Sequence, residues 1–162
     1  MAVPVAPQAE GAMDMKLRRA IALALLLALA LATPAMASNA QVKKVLSVAK
    51  GELGAPYALH SDAPNSFNCL SFVAYCFNQV ESGTISSEGV ATDYQKISSL
   101  RKVKAGDVVC FTTVSRQKGM PPYHFGICIG SGCFVHALSG HGVTVSRLKD
   151  YKKRFIGAMR IF

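Results

Sequence analysis

The stretch NSFNCLSFVAYC, Asn65 to Cys76, decides how this chain is read. Leu70, Val73, Ala74 and Phe77 recur at helical spacing behind Asn68, a good N-cap. The same stretch puts Cys69 and Cys76 on one helix. Seven residues of helix separate their Cα atoms by roughly 10 Å. A disulfide tolerates no more than roughly 7 Å, so the two cannot bridge. Cys69 opens the helix, where free backbone N–H groups and the positive end of the dipole favour a thiolate. It is therefore a candidate nucleophile, against the alternatives of a disulfide partner or a small buried apolar residue.

Upstream, Val42, Val45, Leu46, Ala49 and Leu53 mark another helix over Ser38 to Leu53, with Ser38 or Asn39 as cap and Gly54 as stop. A loop with Pro56 and Pro64 joins the two helices, and a weakly structured stretch follows the second to about Lys104. From Gly106 the period changes to two. DVVCF, HFGICIG, CFVHA, VTVSRL and FIGAMRIF read as short strands close together in sequence, hence antiparallel. Helices first and strands afterwards predict an α+β fold, with N-terminal helices on an antiparallel sheet of about five strands.

The first 37 residues read as an export signal and not as fold, with an uncleaved anchor as the alternative. MKLRR (Met15 to Arg19) is a basic segment, Ala20 to Ala32 is an unbroken apolar run, and Ala35-Met36-Ala37 fits a small-x-small cleavage site. The run is shorter than the roughly 20 residues that span a bilayer. Cleavage leaves one domain, Ser38 to Phe162, with about +8 of formal charge. An exported basic domain points to an anionic cell-wall surface as a partner. No Arg/Lys stripe is interleaved with aromatics, so nucleic acid is not expected. The domain is expected to be a monomer.

Five cysteines leave at least one unpaired. Cys110 and Cys128 sit within apolar strand patterns; with Cys76 and Cys133 they read as structural. Cys128, Cys133, His136 and His141 fall in a short span that superficially resembles a zinc set. However, Cys128 and Cys133 are expected on opposite sides of their hairpin. A catalytic thiol needs a base, and the base an orienting group. His124 opens one strand and His136 lies near the end of the next. A three-residue loop, Gly130 to Gly132, makes paired residue numbers sum to 262. His136 then faces Gly126, with His124 diagonally beside it on the same face.

GAPYALHSDAPNSFNCLSFVAYCF, AGDVVCF and HFGICIGSGCFVHA together resemble the NlpC-type papain-like peptidases of bacterial cell walls. The likeness covers nearly all of Gly54 to Phe162. It implies a papain-like fold with Cys69 as nucleophile, His124 as base and His136 as orienter. Tyr57 falls on the family's tyrosine that helps the oxyanion site, and Asn68, Leu70 and Ser71 fall in its substrate-facing motif. The family's usual Asp-Cys-Ser-Gly is here Asn68-Cys69-Leu70-Ser71, and its paired glycines after the tyrosine are His60-Ser61. The implied activity is cleavage of the peptide stem of peptidoglycan, at a D-γ-glutamyl–diamino acid bond, with no cofactor. Amidase or acyl-transfer chemistry on the same triad, and a silent wall-peptide binding module, are the alternatives.

Overall fold

The computed structural model describes residues 38–86, 94–113 and 123–162. The export signal falls on residues 1–37, outside those described. Helix α1 covers residues 38–51. It buries Val45 and Ala49 completely, on the stripe that the helical spacing marks. Leu53 lies beyond its end and is 46% exposed, so the stripe stops one turn earlier than expected. Helix α2, Cys69–Asn78, buries Cys69, Phe72, Val73, Ala74, Cys76 and Phe77.

Among the described residues six strands follow: β1 (Gln95–Ile97), β2 (Val108–Thr112), β3 (Tyr123–Gly130), β4 (Cys133–Leu138), β5 (Gly142–Arg147) and β6 (Phe155–Arg160). They form one antiparallel sheet in the order β1-β6-β2-β3-β4-β5. The α+β order is as the periodicity implies, with one strand more than expected. That strand, β1, lies within the stretch read as weakly structured and pairs along β6 at the edge of the sheet.

The strands alternate between two apolar layers, as a pleated sheet must. Val108, Ile127, Val135, Ala137 and Val143 join Val45, Phe72, Val73 and Phe77 of the helices. Val109, Phe111, Cys128, Phe134, Leu148 and Ala158 form a second cluster on the other face. Against it packs Tyr151, from the 3-10 segment Leu148–Arg154. All four cysteines read as structural, Cys76, Cys110, Cys128 and Cys133, are free thiols.

The β3–β4 hairpin reaches the expected register by a different route. Ile127 faces Val135 and Cys128 faces Phe134, so the sum is 262 as expected. The turn itself is Ser131-Gly132, with φ of 51° and 72°. Two successive positive φ values suit the right-handed twist of a two-residue hairpin. Gly130 already pairs with Cys133, and a bulge between Cys128 and Gly130 absorbs the extra residue. The expected three-residue loop is thus a tight turn plus a bulge, and the strand faces come out the same.

Candidate active site

The start of α2 is built by Asn68. Its Oδ1 accepts the N–H groups of Leu70 and Ser71, at 3.0 and 2.9 Å. The Ser71 hydroxyl in turn accepts the Asn68 N–H at 3.0 Å, which completes a capping box. Ser71, carried over as a substrate-facing residue, is accounted for here as a cap partner. The Asn68 Nδ2 donates to the Leu59 carbonyl at 3.0 Å and to the Ser61 hydroxyl at 3.3 Å. One side chain thus fixes both the helix end and the loop before it. Backbone bonds from Phe67 N–H to the Pro56 carbonyl and from Ala58 N–H to the Phe67 carbonyl zip Tyr57 alongside the same helix start.

These constraints set the Cys69 thiol at the mouth of β3. Its Sγ lies 4.0 Å from the Tyr123 carbonyl, and the Phe125 N–H is close enough to favour its charged form. The thiol therefore touches the backbone on both sides of His124. Burial pushes the Cys69 pKa up, while the N–H groups of Phe125, Cys69 and Leu70 pull against it without prevailing. This corrects the expectation of a depressed thiol pKa. The helix-start donors are present, but Asn68 already takes the Leu70 N–H. The side chain is 4% exposed, and withdrawing a thiolate from water outweighs the remaining dipole. Near neutral pH the resting group is the thiol.

The two histidines meet. His124 Nε2 and His136 Nδ1 are 2.6 Å apart, with the rings edge-to-face at 83°. His136 is completely buried and stacks on Phe134 at 4.6 Å between centroids. Tyr151 packs against both imidazoles. The second His136 nitrogen, Nε2, lies 2.9 Å from the Ser146 hydroxyl on β5. Burial lowers the His124 pKa to about 4, with the Arg154 charge adding to the effect. His136 is lowered too, first by burial and then by His124, Arg154 and His141. Both rings are neutral at neutral pH. When His124 Nε2 donates to His136, its Nδ1 is an unprotonated acceptor with no hydrogen-bond partner among the described residues.

Tyr57 feels Cys69 directly. Burial raises the phenol pKa first, and the thiol's proximity raises it further. Leu70 lies outside the core and lines a groove of about 430 Å³ with Asn68, Ser61 and Tyr75. The structure thus gathers Tyr57, Asn68, Cys69 and Leu70 around one helix start, and His124 with His136 along the adjoining hairpin. His60 and His141 are exposed, as their loop positions imply. Two residues of this neighbourhood carry no signal in the sequence: Ser146 and Tyr151. Each reaches the site through pairing or packing between distant segments, so local spacing could not mark it.

Comparisons with known proteins agree with this architecture. Two curated Bacillus subtilis proteins align over 122 residues. The probable peptidoglycan endopeptidase LytE is 35% identical, covering 74% of this chain and 34% of its own length. Gamma-DL-glutamyl hydrolase is 31% identical, covering 73% of this chain and 29% of its own. The chain thus spans about a third of these relatives. The crystal structure of the NlpC/p60 domain of the peptidoglycan hydrolase SagA superposes with a TM-score of 0.59 at 27% identity, covering 73% of this chain and 97% of that one. The family model for NlpC/P60 matches residues 54–160, which hold the α2 nucleophile candidate and the paired histidines, and the chain belongs to the NlpC/P60 family.

Proposed function

We propose that this protein is an exported cysteine endopeptidase that hydrolyses the peptide stem of peptidoglycan, at a D-γ-glutamyl–diamino acid bond. The observation that carries the reading is the Cys69 thiol held against the backbone on both sides of His124, whose far nitrogen is bonded to His136. The names of the relatives support the substrate class. The basic charge supports attraction to an anionic wall.

The chemistry follows from the resting protonation states. A neutral thiol beside a neutral imidazole needs general-base activation and not a standing ion pair. As Cys69 Sγ attacks the carbonyl carbon, its proton moves to His124 Nδ1. The imidazolium so formed donates from Nε2 to His136, which holds the ring in line. The carbonyl oxygen, now negative, takes the Cys69 N–H and the Tyr57 hydroxyl as donors. Collapse expels the amine, which leaves with the proton from His124. Water then attacks the thioester, His124 again takes the proton, and the acid product departs as Cys69 is reprotonated.

The groove beside the helix start sets a specificity. Asn68 spends its oxygen on two backbone N–H groups and its nitrogen on Leu59 and Ser61. It carries no charge with which to hold an ammonium group, and Leu70 has no hydroxyl. A charge-assisted hydrogen bond is roughly twice as strong as a neutral one, so its absence removes the demand for a free stem amine. The test is mass analysis of the products from a γ-glutamyl stem peptide, with its N-terminus free or acetylated. Cleavage after the γ-glutamyl residue in both is expected. A hundredfold loss of kcat/KM on acetylation would refute the specificity, and intact peptide in both would refute the activity.

A further inference from the structure

We propose that Ser146 is a positioning residue of this site, holding His136 in the one protonation arrangement that lets His124 work as a base. The inference rests on the cysteine-peptidase reading above, and it extends the chain of contacts by one member beyond the Cys-His-His set.

The geometry is a linear relay. His124 Nε2 meets His136 Nδ1 at 2.6 Å, and His136 Nε2 meets the Ser146 hydroxyl at 2.9 Å. Register explains how the hydroxyl arrives. On the β4–β5 ladder His136 faces Thr144, and Phe134 faces Ser146. Ser146 is therefore diagonal to His136 on the same face, and diagonal neighbours remain within reach of long side chains. The His136 ring is clamped by Phe134 and Tyr151, which aims Nε2 at that diagonal position.

Proton bookkeeping gives the hydroxyl its role. Once His124 has taken the thiol proton, both of its nitrogens carry hydrogen, so Nε2 must donate to His136 Nδ1. A neutral His136 that accepts at Nδ1 holds its own proton at Nε2, and that N–H can only donate. Ser146 Oγ is the acceptor in place. The opposite tautomer, with the proton on His136 Nδ1, would turn His124 Nε2 into the acceptor and move the His124 proton to Nδ1. A ring protonated there cannot take a proton from Cys69. His136 is 0% exposed, so water does not stand in easily for the lost acceptor, and a buried donor left unmade is costly. Ser146 is half-buried on the edge strand β5, so its own hydroxyl hydrogen can turn to solvent.

The decisive variants are Ser146→Thr and Ser146→Val. They match in shape and suit a strand equally, but only the first keeps the hydroxyl. With a γ-glutamyl stem peptide, Ser146→Val should lose kcat roughly ten- to hundredfold with KM within about twofold, and Ser146→Thr should restore most of it. The second readout needs no turnover. Nitrogen NMR of the imidazoles should show His136 protonated at Nε2 in the unaltered protein and in Ser146→Thr, and a mixture of tautomers in Ser146→Val. Equal kcat in the Thr and Val variants, or one unchanged His136 tautomer in all three proteins, overturns the proposal. If the unaltered protein turns over no stem peptide, the peptidase reading has failed, and the tautomer spectra still decide the role of Ser146.

Discussion

Gly126→Ala is the substitution for which the structure gives the sharpest expectation. Gly126 lies on β3 opposite the His136 region of β4. A Cβ built there would stand 2.6 Å from Phe134 Cδ2, 2.8 Å from the Val135 carbonyl oxygen and 3.1 Å from His136 Cβ. Ordinary contacts begin near 3.4 Å, so the overlaps are roughly 0.8, 0.6 and 0.3 Å. The Phe134 ring is pinned by Phe111, Tyr151 and His136, and the Val135 oxygen belongs to the β3–β4 ladder. Neither can swing aside as a surface side chain would. Alanine does gain about 0.5–1 kcal/mol over glycine within a strand. Overpacking costs about 1–3 kcal/mol, and two overlaps against fixed atoms place this site at the upper end. The net expectation is a loss of about 2 kcal/mol. The push also lands on the strand that carries His136, whose bond to His124 is 2.6 Å long. A displacement of half an ångström there should lower kcat by about tenfold. Urea unfolding read by circular dichroism gives the first quantity, and stem-peptide turnover per folded molecule gives the second. A midpoint equal to or above that of the parent, with turnover intact, would refute the claim that this glycine makes room for the histidine pair.

Other expectations follow from the same structure. Acid should inhibit late: His124 must be neutral to accept a proton, and its pKa is lowered to about 4. The acidic limb of kcat/KM should therefore fall below the ordinary histidine value of about 6.5, and a limb at or above that value would contradict the burial argument. Iodoacetamide should modify Cys69 of the resting protein slowly near neutral pH and faster as the pH rises, because burial raises that thiol. A pH-independent plateau through neutrality would mean a standing thiolate. Asp107→Ala should cost about 2–3 kcal/mol in urea unfolding. The carboxylate is 1% exposed and takes two bonds from Arg160, each 2.8 Å long, and one from the Lys104 N–H. The figure sits below that for a fully buried pair because Arg160 is 26% exposed. Activity per folded molecule should survive, and an unchanged midpoint would show that the pair adds no stability.

Much of this molecule is legible in its sequence where the chemistry is local. The α2 start is an example, since Asn68 caps through neighbouring backbone groups and needs nothing distant. The strands from β2 to β6 show as short apolar or alternating runs bounded by turn residues, although the sheet is covered by apolar clusters on both faces. β1 does not show. It is three residues long with only Ile97 buried, so it has no pattern to read and exists through its pairing with β6. The hairpin register can be derived on paper, yet the bulge that delivers it cannot, because a bulge and a longer loop give the same strand faces. The thiol pKa is misjudged for a related reason. The helix start and its dipole are visible in the order of residues, whereas burial depends on β3 closing over the thiol from more than fifty positions away. Ser146 and Tyr151 enter the site by the same long-range route.

The central claim is that Cys69 is the nucleophile and that the other cysteine of its helix is not. The most direct measurement is turnover of a γ-glutamyl stem peptide by Cys69→Ala and Cys76→Ala, each confirmed as folded by circular dichroism. Cys76 is completely buried, one of the apolar groups packed in the helix core, so its loss should lower the unfolding midpoint while turnover per folded molecule stays close to that of the parent. Cys69→Ala should keep the fold and show no turnover above background. Full activity in Cys69→Ala would contradict the account.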